Sequence, residues 1–188
     1  MARKTYTIEV AGLKRDLPLC PLNDDMMIAA FVLFGDVELT KACARDLLKI
    51  VPDFDYMITP EAKSIPLAHE MAAQMGRNDY FLVRKQKKAY MDGVFEVDDK
   101  SITTEGIQKL YMDGADARKM KGKRMLLIDD VISTGGSIGA VENLVKQAGG
   151  IVVAKVAVLA EGAATKRDDI KFLAPLPLFD KDGNPLPL

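Results

Sequence analysis

The chain has 188 residues, 48% hydrophobic and 28% charged, without tryptophan, and its 26 basic and 27 acidic side chains leave a formal net charge of −1. That length supports one domain whose core buries roughly 70% of the unfolded surface, and near-neutrality excludes the broad positive field that draws nucleic acid or an anionic membrane. No apolar run reaches the length of a membrane span, Met1 to Tyr6 lacks a signal-peptide core, and Cys20, Cys43 and the lone His69 leave nothing for a zinc site or a Ser-His-Asp triad, so a cytoplasmic protein with reduced thiols is expected.

Thr5 to Val10 alternates apolar and polar residues like a half-buried strand, and Ala11-Gly12 turns it. Leu13 to Leu22 carries too many prolines for a helix interior and reads as extended. Met26 to Phe34 is apolar enough to be strand or helix, and periodicity does not separate the two. Asp36 is a suitable N-cap, although the capping box is absent because Leu39 stands where Glu or Gln would complete it. The apolar spacing of Val37, Leu39, Ala42, Ala44, Leu47, Leu48 and Val51 predicts a helix over 36–50.

Phe54 to Ile58 reads as a strand, Thr59 to Ser64 as a loop, and Ile65 to Met75 as a helix with Pro66 in its first turn and Gly76 at its end. Tyr80 to Val83 is a third strand, followed by the basic Arg84-Lys-Gln-Lys-Lys88. From there to Arg124 the chain is polar and carries Gly93, Gly106 and Gly114, which predicts a long functional or mobile loop. Met125 to Ile128 is a short continuous apolar run, as in a buried parallel strand. Ile138, Val141, Leu144, Val145 and Ala148 mark one helix face, closed by Gly149-Gly150. Ile151 to Leu159 is a final apolar strand, and Leu173 to Phe179 is proline-spaced and extended. Strands alternating with helices at these intervals predict an α/β fold with a mainly parallel sheet flanked by helices.

In such sheets ligands sit at the carboxyl ends of the strands. Three polar clusters fall there: Glu61-Ala-Lys63, Arg84 to Lys88, and Asp129 to Ser137. The last places Asp129 and Asp130 at a strand end, just before Ser133-Thr-Gly-Gly-Ser137. A small-residue turn leading into a helix aims backbone N–H groups and hydroxyls at one phosphate. Paired acids beside it suit a diol or a metal, so a ribose 5-phosphate fits both halves.

This acidic pair with its Thr-Gly-Gly turn resembles the phosphoribosyl-pyrophosphate (PRPP) motif of type I phosphoribosyltransferases, and adenine phosphoribosyltransferases are the most similar branch. Leu13-Lys-Arg-Asp-Leu17 is similar to the base-proximal segment of that branch, Pro60 to Ser64 to its pyrophosphate loop, and Val83 to Lys88 to its Arg-Lys-x-x-Lys segment. Asp116-Ala117 resembles the lead-in to its central strand, and Leu173 to Phe179 its Leu-Ala-Pro-x-Pro-x-Phe tail.

The resemblance implies a single phosphoribosyltransferase domain over 1–188, with a small N-terminal hood at 1–35, a core at 36–180 and a flexible loop at 86–108. It implies transfer of the ribosyl group of PRPP to a purine, adenine giving AMP with release of pyrophosphate, in purine salvage. Ser133, Thr134, Gly135, Gly136 and Ser137 would bind the 5-phosphate, and Asp129 and Asp130 the ribose hydroxyls. Ala62, Lys63, Arg84 and Lys88 would bind pyrophosphate, with Mg²⁺ carried on PRPP and no direct protein ligand assigned. Leu13 and Arg15 would lie near the base, although Arg15 also reads as a surface arginine. Glu105 is the candidate for the proton of the base, and an ordinary solvated glutamate is its rival. A homodimer is implied by the resemblance alone.

The chain departs from the family pattern in three places. Lys63 replaces the usual arginine, exchanging a bidentate fork for a point charge. Thr103-Thr-Glu-Gly106 keeps only the Glu and a Gly of the family's Leu-Glu-Tyr-Gly, and Gln86 to Thr104 is longer than expected and partly acidic. Two other functions share the motif. A xanthine, hypoxanthine or guanine phosphoribosyltransferase would differ in a few base contacts. A PRPP-sensing regulator would add a DNA-binding element, and the first 35 residues show no helix-turn-helix pattern.

Overall fold

The elements build three sheets in the computed structural model, which describes residues 4–99 and 108–188. Strand β1 (Thr5–Val10) folds back on β2 (Leu13–Pro21) through Ala11 and Gly12, both at positive φ. Strand β3 (Met26–Ala29) pairs antiparallel with β2, so the ambiguous 26–34 segment is a short strand followed by irregular chain. Helix α1 (Val37–Leu48) begins where the Asp36 side chain accepts a hydrogen bond from Leu39 N at 3.0 Å, capped as expected without a capping box.

The chain then runs through β4 (Tyr56–Pro60), α2 (Ile65–Gln74) and β5 (Phe81–Val83). Next come β6 (Phe95–Asp99), β7 (Gln108–Met112) and α3 (Gly114–Met120), where a long loop was predicted. β6 and β7 pair antiparallel, Phe95 opposite Met112 and Val97 opposite Leu110. Phe95-Glu-Val-Asp98 and Lys109-Leu-Tyr-Met112 each alternate over only four residues, too short to stand out from the polar stretch around them, and Leu110 and Met112 are fully buried. Strand β8 (Arg124–Ile132) leads through α4 (Gly136–Gln147) to β9 (Ile151–Glu161), a 3-10 turn (Gly162–Lys166), β10 (Lys171–Leu176) and β11 (Phe179–Asp180).

The central sheet has the order β10-β9-β8-β4-β5 and every pairing in it is parallel. From β4 the chain moves outward to β5, and from β8 it moves the opposite way to β9 and β10. The reversal makes a crevice beyond the carboxyl ends of β4 and β8, the place where open α/β sheets bind ligands. Alternation along β8 supplies both faces of the sheet. Leu126 and Ile128 pack with α1 and α2, while Met125 and Leu127 pack with Met120 of α3 and with Val141 and Leu144 of α4. With apolar layers on both sides, the strand ends are held by a close-packed core.

The proline-spaced tail belongs to this core. Leu176 and Phe179 are buried, and β11 pairs antiparallel with β3, completing the sheet order β1-β2-β3-β11. The Phe179 ring meets Tyr6 edge-on at 5.1 Å between centroids. The N-terminal sheet is therefore closed by the C-terminal part of the chain. Phe179→Ala is expected to cost about 3–5 kcal/mol, the usual range for a buried phenylalanine, read as a lower midpoint in urea unfolding.

Candidate active site

Strand β8 continues to Ile132, so Asp129 and Asp130 lie within its last turns of pleat and not beyond it. Their side chains leave the strand on alternate faces, and Asp129 Oδ1 accepts a hydrogen bond from the Asp130 N–H at 2.9 Å. Burial, with the neighbouring Asp130 carboxylate, raises the Asp129 carboxyl well above its ordinary value. Asp130 is almost wholly buried, and the Lys63 ammonium lies 2.9 Å from its Oδ2. That oxygen is charge-compensated without an aligned hydrogen-bond donor.

Beyond Ile132, residues 133–135 form the predicted turn, and Gly135 stands at the N-cap of α4 with φ 83°. The left-handed backbone explains the glycine. Gly135 offers no side chain to cap the helix, so the N-terminal amides of α4 lie beside the turn that carries Ser133 and Thr134, with Ser137 in the first turn of the helix itself.

The loop after β4 is anchored from below. The buried Thr59 hydroxyl sits 2.9 Å from the Ile128 carbonyl oxygen on β8 and 2.7 Å from Ser64 Oγ, tying both ends of the loop to the neighbouring strand. The Glu61–Ala62 peptide is cis. Glu61 and Lys63 serve different neighbours. Burial disfavours the Lys63 charge, but Asp130, Asp129 and Glu161 outweigh it and raise its pKa. Glu61 Oε2 accepts from the Lys85 N–H at 2.9 Å and from Arg84 Nε at 3.2 Å. Burial opposes the Glu61 charge, yet these donors with nearby Lys88 hold its carboxyl below the usual range.

Arg84 is further fixed by Tyr90 Oη at 2.8 Å and by paired backbone bonds with Tyr111. The strand ends thus bring Lys63 together with Asp129 and Asp130, and Arg84 and Lys88 together around Glu61. Ala62 is an exposed residue of the intervening turn.

Leu13 and Arg15 face α1 instead. Leu13 lines a depression of about 610 Å³ with Glu38, Lys41 and Arg45. Arg15 Nε lies 2.6 Å from Asp36 Oδ2, and Nη2 lies 2.8 Å from Glu38 Oε2, clamping β2 to the start of the helix. Glu105 lies outside the described residues. Cys43 and Met125 are core side chains, burial raising the Cys43 thiol to about 12. His69 packs edge-on against Tyr80 at 6.4 Å.

Sequence reasoning missed Glu161. It is the last residue of β9, 9% exposed, one place beyond Ala160, which pairs with Ile132. That register sets its carboxylate beside Ser133, which hydrogen-bonds it, and near Lys63 and Asp130. Burial raises its carboxyl despite the Ser133 bond and Lys63. An acid ending an apolar strand, in a sheet whose ligands gather at the carboxyl ends, was the available signal.

Known proteins resemble this chain in sequence and in fold. The family model for the phosphoribosyl transferase domain matches residues 38–176. An adenine phosphoribosyltransferase of Thermotoga petrophila is 32% identical over 141 residues, 74% of this chain and 79% of the relative. A hypoxanthine/guanine phosphoribosyltransferase of Methanococcus voltae is 30% identical over 130 residues, 69% of this chain but only 65% of the relative's length. The crystal structure of adenine phosphoribosyltransferase from Leishmania tarentolae superposes with a TM-score of 0.62 at 18% identity, covering 97% of this chain and 86% of that one, and so shares its fold. With its PRPP-like turn, its two-faced parallel sheet and these relatives, the chain belongs to the phosphoribosyltransferase family of pentosyltransferase enzymes.

Proposed function

We propose that this protein transfers the phosphoribosyl group of PRPP to adenine, giving AMP and pyrophosphate in purine salvage. The observation that carries the reading is the 2.9 Å approach of Lys63 to Asp130, which joins the pyrophosphate-type loop after β4 to the acidic pair of β8 across one crevice. The amides and hydroxyls of Ser133 to Ser137 hold the 5-phosphate at the helix start. Asp129 and Asp130 accept hydrogen bonds from the ribose hydroxyls, and their charge favours an oxocarbenium-like ribose as the bond to pyrophosphate breaks. Lys63, Arg84 and Lys88, with the backbone at Ala62, stabilise the departing pyrophosphate. Hard carboxylate oxygens at the end of β8 are a donor set that suits Mg²⁺ carried in on a diphosphate. The ion neutralises charge on the leaving group when bound.

Adenine is favoured because the Leu13 to Leu17 segment and the Leu173 to Phe179 tail resemble the adenine branch, and because the Thermotoga relative aligns over more of both chains. Arg15, clamped to Asp36 and Glu38, holds the hood against α1 and so bears on the base from a distance. Glu105 handles the proton of the base. One domain with an N-terminal hood, working as a cytoplasmic homodimer, completes the proposal. The hypoxanthine/guanine name of the Methanococcus voltae relative favours a 6-oxopurine as the second reading.

Steady-state assays with PRPP and Mg²⁺ are expected to show adenine ahead of hypoxanthine, guanine and xanthine; preference for a 6-oxopurine would transfer the assignment to the second reading. Asp129→Asn with Asp130→Asn is expected to lower kcat/KM by about 10²–10³-fold, the scale of losing preorganised electrostatic stabilisation. Unchanged turnover would remove these residues from the chemistry.

Asp129 also gives a pH signature. Because its folded carboxyl titrates above the ordinary value, its stability contribution is complete at acid pH and is lost as pH rises through the raised value. Asp129→Asn is therefore expected to raise Tm at neutral pH, by roughly 2–4 °C for each kcal/mol relieved. The gain should shrink towards pH 4 in a series of thermal melts; a constant or negative shift would contradict it.

A further inference from the structure

We propose that Arg167 is a positioning residue for the phosphate-binding turn, bracing the Thr134–Gly135 peptide from outside so that the Gly135 N–H stays turned towards the 5-phosphate. The inference rests on the assignment of residues 133–137 to that phosphate.

The 3-10 turn after β9 carries the chain back over the start of α4, and Arg167 follows it directly. Asp169 grips one edge of the guanidinium, accepting from Nε at 2.8 Å and from Nη2 at 2.8 Å. A two-point pair of this kind fixes the plane of the fork as well as its position. Asp169 is itself anchored, because Lys155 Nζ lies 2.5 Å from its Oδ2 and 2.9 Å from Glu142 Oε2. Lys155 is mostly buried on β9, and Glu142 belongs to α4, where Lys146 pairs with it at 2.6 Å. The fork is thus referenced to a strand and a helix that both border the turn.

The remaining nitrogen, Nη1, donates a long hydrogen bond of 3.4 Å to the Thr134 carbonyl. It lies so close over Gly135 that a Cβ there would overlap it, and the same Cβ would stand 3.1 Å from the guanidinium carbon. Glycine at 135 therefore answers two demands, a left-handed φ of 83° and the close approach of Arg167. The Thr134–Gly135 peptide is trans, the single cis bond among the described residues being Glu61–Ala62. In a planar trans peptide the carbonyl and the N–H point in opposite directions. Holding the Thr134 oxygen towards Arg167 consequently turns the Gly135 N–H to the other side, inward to the turn. Asp169 already compensates the Arg167 charge, so the side chain acts on the backbone and not as a free cation for substrate.

Arg167→Ala should therefore weaken every ligand that carries the 5-phosphate and spare one that does not. Calorimetric titration with ribose 5-phosphate is expected to show a Kd about three- to ten-fold above wild type, the scale for losing one modest hydrogen bond and the order it imposes. The Kd for pyrophosphate should stay the same. In turnover, KM for PRPP should rise by a similar factor with a much smaller change in kcat, and added guanidinium should restore part of the loss. Arg167→Lys, which cannot grip Asp169 at two points, should fall between wild type and alanine. Asp169→Asn should weaken ribose 5-phosphate in the same direction and combine less than additively with Arg167→Ala; these two milder variants carry the test where the alanine variant does not fold.

Unchanged ribose 5-phosphate affinity in a folded variant, even with a lowered Tm, would overturn the proposal, as would an equal loss for pyrophosphate or a loss confined to kcat. Failure of the wild-type protein to bind ribose 5-phosphate would instead overturn the assignment of the turn itself.

Discussion

The structure depends on how it carries buried negative charge at the end of its central strand. Asp130 is nearly inaccessible, Asp129 is half-buried beside it, and Glu161 closes in from the next strand. Three acids at the edge of an apolar core would be costly without compensation. Lys63 supplies part of it from the neighbouring loop, 2.9 Å from Asp130, and the same three acids keep that ammonium charged despite its partial burial. The pairing ties the loop after β4 to the end of β8, so the residues that balance the charge are also those that shape the crevice.

The rest of the fold holds that crevice still. β8 is the one strand flanked by both β4 and β9, and its side chains alternate between two separate apolar clusters. Thr59 adds a direct link, its hydroxyl reaching the Ile128 carbonyl immediately before the acidic pair. Arg15 locks β2 to the N-cap of α1, and β11 adds the final strand to the N-terminal sheet. Parts distant in sequence are thereby fixed on one frame, from which the loops at the strand ends project.

The sequence made the parallel core, its caps and its turn readable because their signals are local. Asp36 precedes an apolar spacing of 3.6, and Ser133 to Ser137 follows an unbroken apolar run. The β6–β7 pairing was hidden because its apolar–polar alternations are short, Phe95 to Asp98 and Lys109 to Met112, and its partners lie across intervening chain. Glu161 was hidden for another reason: its meaning comes from the register of β9 on β8, a long-range property that no window of sequence contains. Lys63 was read as a cation awaiting a phosphate, whereas the fold gives it a carboxylate partner, because the balance of charge across two strand ends is settled only once the strands are neighbours. Glu105 lies outside the described residues, and its role rests on the resemblance alone.

Charge across the crevice is sorted by strand. Moving along the order β9-β8-β4-β5, Glu161, Asp129 and Asp130 come first, and Lys63, Arg84 and Lys88 follow. Glu61 is the exception on the basic side, and it is occupied by the Lys85 amide and by Arg84. Such a gradient distinguishes the two ends of a ligand before any contact is specific to its shape. A polyanion is drawn towards β4 and β5 and repelled from β9, while a group that gains positive charge is stabilised beside β8. The Ser133 to Ser137 turn, where Ser133 hydrogen-bonds Glu161, adds the N-terminal amides of α4, which on the proposed assignment take a second anionic group. On the proposed assignment, a ligand with two unlike anionic ends and a polyhydroxyl centre satisfies all three regions in one orientation, and the order of the strands would then set the direction of bond cleavage.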